Sequence, residues 1–196
     1  ELVRKIKAKL PNSKIYILSI TPLSSDVPKG VLSNKNIDRF NLVLKDIAKT
    51  EQVNYIDLSP IFKNNVIHYD RDGSHFQNDF YPILLDYLKE QTDIARQPKK
   101  TVVIDSNVAY KQMFKNSVFM GDSIIGALSY LDKLDKANVI APSGATLDLL
   151  QLNVDRLVSQ KPEHIFILIG SNDIKIVDRK NFIEKYSKLI SSIKEK

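Results

Sequence analysis

Short, almost continuous runs of apolar residues recur along the chain and are separated by longer segments of mixed polarity. Five of these runs are rich in Ile, Val and aromatic residues: KIYILSI (14–20), VNYIDL (53–58), SVFMG (117–121), NVIAP (138–142) and HIFILIG (164–170). Parallel strands that helices cover on both faces have this continuous apolar character. The pattern therefore predicts five buried parallel strands.

The segments between the runs carry apolar residues at the three- and four-residue spacing of amphipathic helices. Three such stripes are Ile37, Phe40, Leu44 and Ile47; Leu147, Leu150, Val154 and Leu157; and Phe182, Tyr186, Leu189 and Ile193. Because strand and helix alternate, the pattern predicts an α/β protein, a three-layer α/β/α sandwich around a parallel sheet.

Composition narrows the class of protein. A chain of 196 residues that is 43% hydrophobic is expected to form one domain around one core. It contains no Cys, which excludes disulfides and thiolate metal sites and leaves both the cytosol and the exterior of a bacterium open as locations. No apolar run approaches the roughly 20 residues of a spanning helix, and no signal-peptide profile is present, so we expect a soluble chain.

The net charge of +6 does not indicate a nucleic-acid partner. The lysines are spread along the predicted helices with acidic residues between them, a pattern typical of a solvated surface.

Three polar turns that contain glycine directly follow predicted strands. They are Gly121-Asp122-Ser123, Ser143-Gly144-Ala145 and Gly170-Ser171-Asn172-Asp173. Because ligands of open α/β sheets bind at the carboxyl ends of the strands, we expect these turns to share one site.

A fourth polar segment, DRDGSH (70–75), has the aspartate spacing of a calcium loop. A calcium loop requires Gly at its sixth position and Glu at its twelfth, where this chain has His75 and Tyr81. The three histidines are scattered, with His68 expected in a loop and His164 at a strand start, and they include no His-x-x-x-His pair. We therefore expect neither a metal nor another cofactor.

The four polar blocks together resemble those of the SGNH or GDSL hydrolases. The first block of that family is matched by Gly121, Asp122 and Ser123, the second by Gly144, the third by Gly170 to Asp173 and the last, Asp-x-x-His, by Asp72 to His75. The resemblance covers nearly the whole chain. It implies a flavodoxin-like five-stranded sheet and a serine ester hydrolase.

Chemistry that such a hydrolase needs can be assigned to residues of these blocks. Ser123 is the candidate nucleophile, His75 the candidate base, and Asp72 the group that orients the ring of His75. The resemblance implies an oxyanion hole formed by the N–H of Ser123, the N–H of Gly144 and the side-chain amide of Asn172.

Other side chains near the candidate triad are expected to support the structure. Asp122 and Asp173 are expected to brace their turns by accepting backbone N–H groups. Phe76, Phe80 and Tyr81 either shape a pocket beside His75 or pack their helix.

The order of the blocks differs from that of the family, because this chain begins with the last block. Its two ends, LVRKIKAK (2–9) and LISSIKEK (189–196), share Leu, Ile and two Lys in register, as if one helix end occurred twice. We infer a circularly permuted domain or one period of a tandem repeat. Residues 1–88 would form the C-terminal half of the fold, 89–112 a linker and 113–196 the N-terminal half.

Permutation predicts that strand 117–121 lies beside strand 164–170, and that 164–170 lies beside strand 14–20. His75 should then reach Ser123, either within one chain or across a domain-swapped homodimer.

The favoured function is hydrolysis of small acyl esters, acetyl above all, on a small molecule, a carbohydrate or a cell-wall polymer. A lysophospholipase or thioesterase is the alternative within the same chemistry. A non-catalytic binding module with this fold is the alternative outside it.

Overall fold

Five parallel strands form one sheet at the centre of the protein. The computed structural model describes residues 10, 12–25, 30–96 and 106–195. The strands are β1 (Lys14–Leu18), β2 (Asn54–Ile56), β3 (Ser117–Gly121), β4 (Val139–Ile140) and β5 (His164–Leu168). They lie in the order β2-β1-β5-β3-β4, and each neighbouring pair is parallel. The α/β class and the parallel sheet predicted from the apolar runs are confirmed.

Helices cover the sheet. In the described part of the chain they are α1 (Asn34–Thr50), α2 (Ser59–Asn64), α3 (Phe80–Glu90), α4 (Ser106–Met113), α5 (Ser123–Tyr130), α6 (Leu147–Gln151), α7 (Val154–Ser159) and α8 (Arg179–Glu195). A search of the described residues finds no helix with the length and apolar character needed to cross a membrane.

Two hydrophobic cores lie on opposite faces of the sheet. Ile15 and Ile17 of β1 belong to the core that α1, α6, α7 and α8 complete, whereas Tyr16 and Leu18 belong to the core of α2, α3, α4 and α5. This alternation follows from the two-residue period of a strand. Because both faces are covered, the strands are apolar at nearly every position, which is the pattern seen in the sequence.

The two predicted pairs of neighbouring strands are both present in the sheet. β3 pairs with β5 over five residues, Ser117 to Gly121 against His164 to Leu168, and β5 pairs with β1 from Lys14 opposite His164. If the strands are counted from β3 onward through the chain and then from β1, the sheet order becomes 2-1-3-4-5. That is the order of a flavodoxin-like sheet.

Some element bounds differ from the predicted ones. The strands β1 and β5 end at Leu18 and Leu168, two residues before the apolar runs do. Ile20 and Ile169 remain buried although they lie beyond the strands, so apolar character marks burial and not strand length. The stripe 147–157 forms two helices instead of one, because the side chain of Asn153 donates to the carbonyl of Leu149 and the chain turns there.

The segment predicted as a linker is helical at both described ends. Residues 89–90 finish α3, a 3₁₀ turn follows at Asp93–Arg96, and 106–112 lie in α4. The division into two halves joined by this segment stays a prediction. Of the two similar helix ends, 2–9 lies outside the described residues, and 189–195 belongs to α8, where Leu189, Ile190 and Ile193 are buried.

Candidate active site

Ser123 stands at the junction of β3 and α5. It is the first residue of α5, and Asp122 caps the helix by accepting the N–H of Ile124 at 3.0 Å. The residue as a whole is exposed, while the neighbours Asp122 and Ile124 are buried. Because the first N–H groups of a helix have no acceptor within the helix, the Ser123 N–H is available beside its own hydroxyl.

A compact hairpin carries His75 and Asp72. Tyr69 and Phe76 form an antiparallel bridge, and the N–H of Asp70 donates to the carbonyl of His75 at 2.9 Å. The turn of the hairpin requires Gly73, whose φ of 65° lies in the left-handed region that glycine adopts without strain. This hairpin holds Asp72 and His75 in a fixed relation.

A chain of hydrogen bonds joins three of the predicted residues. Nε2 of His75 lies 2.7 Å from Oγ of Ser123, and Nδ1 of His75 is hydrogen-bonded to Oδ2 of Asp72. An ionised carboxylate can only accept, so Nδ1 carries a proton and Nε2 of the neutral ring is left to accept from the Ser123 hydroxyl. All three residues belong to the same chain, and the arrangement does not require a second copy.

The carboxylate of Asp72 is held in its ionised form. Burial favours the protonated acid, but the backbone N–H groups of His75 and Ser74 and the His75 ring outweigh burial and lower the pKa of Asp72 below its ordinary value. The two N–H groups lie 2.9 and 2.8 Å from Oδ1. Asp72 therefore remains a hydrogen-bond acceptor for His75 throughout the neutral range.

Asp122 connects the turn of Ser123 to the turn that follows β5. Its Oδ2 accepts the hydroxyl of Ser171 at 2.5 Å, and the residue is 1% exposed. Burial raises the pKa of Asp122, whereas the hydrogen bonds from Ser171 and Ile124 and the proximity of His75 act in the opposite direction. The bracing role predicted for Asp122 agrees with these contacts, but the partner Ser171 was not anticipated from the sequence.

The turns after β4 and β5 are also tied to each other. Nδ2 of Asn172 donates to the carbonyl of Ala145 at 3.0 Å, and the carboxylate of Asp173 accepts the N–H of Leu147 at 3.1 Å. Gly144 has a φ of 64° and is exposed. Asn172 and Gly144 thus lie on two turns that are in direct contact. Asp173 accepts a backbone N–H as predicted, that of Leu147 at the start of α6.

At Gly121, the last residue of β3, the backbone lies unusually close to β5 and to α5. A Cβ at Gly121 would lie 2.2 Å from the carbonyl oxygen of Leu168 and 2.5 Å from Cγ1 of Ile125. Only glycine at this position lets β3, β5 and α5 meet directly before Ser123.

Packing and local contacts account for the other residues that the sequence singled out. Phe76, Phe80 and Tyr81 are buried in one core, where Phe76 stacks on Phe80 at 4.0 Å, so helix packing accounts for them. His68 lies in a loop and contacts Asp79, and His164 is the first residue of β5. Among the residues that the structure describes, there is no group of three or more His, Asp and Glu residues that could hold a metal ion.

Comparison with known proteins adds no family assignment. No family model matches the chain, and neither a curated protein nor a solved structure matches it.

Proposed function

We propose that the protein is a serine ester hydrolase of the SGNH or GDSL type. The observation that supports this proposal most strongly is the hydrogen-bonded chain from Asp72 through His75 to the exposed hydroxyl of Ser123. Acyl transfer by serine needs a base within hydrogen-bond reach of the hydroxyl and a third group that orients the base. A carboxylate, an imidazole and a hydroxyl in this order meet that requirement.

In the acylation step, Oγ of Ser123 attacks the carbonyl carbon of the ester while Nε2 of His75 takes its proton. The resulting imidazolium is stabilised by the carboxylate of Asp72. His75 then gives the proton to the departing alcohol, and an acyl-enzyme remains.

The tetrahedral intermediate carries negative charge on the former carbonyl oxygen, which needs hydrogen-bond donors. We assign this role to the N–H groups of Ser123 and Gly144 and to the side-chain amide of Asn172. One of the two amide protons of Asn172 is used by the carbonyl of Ala145, so the second is left for the oxyanion.

In deacylation, His75 removes a proton from a water molecule that attacks the acyl carbon. The proton returns to Oγ of Ser123 as the acid leaves. The full cycle consumes one water per ester and restores the hydrogen bonds of the free protein.

The substrate class remains a proposal within this chemistry. We favour small acyl esters, such as acetyl groups on a carbohydrate or cell-wall polymer, because Ser123 is exposed and can meet an ester that is part of a larger molecule. Lysophospholipids and thioesters are the alternative substrates.

We further propose that the domain is circularly permuted relative to the family. The support is the sheet order, which becomes 2-1-3-4-5 when counting starts at β3. In that order the chain would run from α8 directly into β1.

Hydrolysis of p-nitrophenyl acetate tests the proposed activity. The unaltered protein should release p-nitrophenol, and Ser123→Ala should lower kcat by roughly 10³-fold or more, because the members of a triad act as a unit. Ser129→Ala is the matched control, since Ser129 lies in the same helix and its hydroxyl donates to the Gly126 carbonyl at 3.1 Å. Absence of hydrolysis by the unaltered protein would favour the non-catalytic binding module.

A further inference from the structure

A surface cavity of about 490 Å³ lies between α1 and the segment that leads from β5 to α8. Its lining residues are Asn36, Arg39, Phe40, Ile174, Val177, Asp178 and Arg179. Ser123, His75 and Asp72 belong to the described residues but do not line it. A volume of this size can hold a small organic group.

Two arginines in the lining have no ion-pair partner among the described residues. Within the described ranges, no carboxylate lies within ion-pairing distance of Arg39 or Arg179. The lining also contains Asp178, but both of its carboxylate oxygens accept from Asn181, at 2.9 and 3.0 Å, at the start of α8. The carboxylate of Asp178 is therefore engaged by its own helix.

Apart from Asn36, the remaining lining residues are apolar. Ile174 is buried, Phe40 and Val177 are half-buried, and the ring of Phe40 packs edge-on against Phe182 at 4.8 Å. Two guanidinium groups beside an apolar wall match a ligand that joins an anionic group to a short hydrocarbon portion.

The cavity shares a short segment with the proposed oxyanion hole. Ile174 lies two residues after Asn172, within the 3₁₀ turn Asp173–Lys175. The N–H of Val177 donates to the carbonyl of Asp173 at 2.9 Å, which keeps the segment compact. Since a 3₁₀ helix rises about 2 Å per residue, the cavity wall begins only a few ångströms along the chain from Asn172.

We propose that this cavity binds an anionic group, a carboxylate or a phosphate, carried by the ester substrate. Arg39 and Arg179 would bind its oxygens, and Phe40 and Val177 would contact the carbon chain that leads from this group toward Ser123. The assignment to a substrate rests on the proposed ester hydrolysis, whereas the binding of an anion does not.

A comparison of two ester substrates, one neutral and one anionic, tests the substrate assignment. The neutral ester is p-nitrophenyl acetate, and the anionic ester is mono-p-nitrophenyl succinate. In the double variant Arg39→Gln/Arg179→Gln, the ratio of kcat/KM for the anionic ester to that for the neutral ester should fall at least tenfold, mostly through KM. Turnover of the neutral ester should be unchanged, which also shows that the variant is folded.

The matched control is Lys35→Gln/Lys180→Gln. It removes two positive charges from the same two helices, at exposed residues that do not line the cavity. Its ratio should change less than twofold. An equal fall of the ratio in both double variants would mean that general surface charge attracts the anionic ester, which would overturn the assignment. An unchanged ratio in the arginine variant would also overturn it.

A binding measurement tests the anion site independently of ester hydrolysis. Titration with succinate and, separately, with inorganic phosphate should produce saturable shifts of the Ile174 and Val177 amide signals, which the arginine variant loses and the lysine variant keeps. The anion that binds more tightly identifies the carboxylate or the phosphate as the preferred group. Absence of saturable binding of both anions would overturn the proposal. Arginine-dependent binding in a protein that hydrolyses neither ester would support the anion site and contradict the proposed hydrolysis.

Discussion

Ser123 and Asp122 are adjacent in the sequence but have opposite surroundings. Ser123 is exposed at the start of α5, whereas Asp122 is buried and holds both the helix and Ser171. One residue can therefore meet a substrate while the other fixes the turn that presents it. The blocks that follow β3 and β5 are joined through this single carboxylate.

The base and its orienting carboxylate should differ in importance. His75→Ala should lower kcat for p-nitrophenyl acetate nearly as much as Ser123→Ala, because the hydroxyl then has no proton acceptor. Asp72→Asn should be milder, since the surrounding hairpin still positions the ring. His68→Ala is the control, because His68 is an exposed histidine of the same loop whose carboxylate partner is Asp79. A fully active His75→Ala variant would contradict the triad.

The amide of Asn172 has a separate kinetic signature. Asn172→Ala should cost about 3 kcal/mol of transition-state stabilisation, which corresponds to a loss of about 10²-fold in kcat with little change in KM. Steady-state kinetics with p-nitrophenyl acetate measure both constants. If KM alone rises, Asn172 binds the substrate in its ground state and is not part of the oxyanion hole.

The sequence reveals residues of the site to different degrees. Ser123, His75 and Asp72 can be proposed from short motifs, of which only that of Ser123 lies at a strand end. Ser171 cannot, because a hydroxyl has many alternative partners and only the fold places it against Asp122. Arg39 and Arg179 cannot either, since 140 positions separate them in the chain and neither belongs to a motif.

At the scale of elements, Gly121 controls how β3, β5 and α5 meet. Gly121→Ala should destabilise the protein by about 1–3 kcal/mol, because the added methyl would overlap the Leu168 carbonyl and the Ile125 side chain. Gly126→Ala is the matched control. Its added Cβ would lie 3.5 Å from Cβ of Ala141, an ordinary contact, and alanine favours the helix by up to about 1 kcal/mol.

Urea unfolding measures both free energies. Equal stability of the Gly121→Ala variant and the unaltered protein would mean that β3 and β5 can separate without cost, which their pairing over five residues argues against.

Element positions could be predicted more reliably than element ends. Each of the five apolar runs contains a strand, but burial continues past the last ladder hydrogen bonds at Ile20 and Ile169. The break between α6 and α7 depends on the local hydrogen bond from Asn153 to Leu149, which hydrophobic periodicity does not detect.

Across the full fold, His75 and Ser123 are 48 residues apart in the chain and meet at the carboxyl edge of the sheet. Ser123 directly follows β3, whereas the hairpin of His75 comes after α2, which follows β2. Parallel strands all end at one edge, so every turn that follows a strand lies there. This is why the three polar turns that follow β3, β4 and β5 could be expected from the sequence to share one site.

The proposed permutation predicts that the chain can be rearranged. A chain that runs from 106 to 195 and then continues with 10 to 96 should fold and hydrolyse p-nitrophenyl acetate at a rate close to that of the original. α8 returns from the carboxyl edge to the amino edge of the sheet, where β1 begins beside β5 through the pairing of Lys14 with His164. Circular dichroism and the ester assay measure the outcome. An unfolded product would contradict the placement of α8 directly before β1.

Ser123 is the proposed nucleophile of an ester hydrolase. Mass spectrometry of the protein after reaction with a serine-directed phosphonate tests this role. We predict one covalent adduct per chain, located on Ser123, with loss of hydrolysis in proportion to labelling and much slower labelling in His75→Ala. An adduct on another residue, or undiminished hydrolysis in a protein fully labelled at Ser123, would contradict this role.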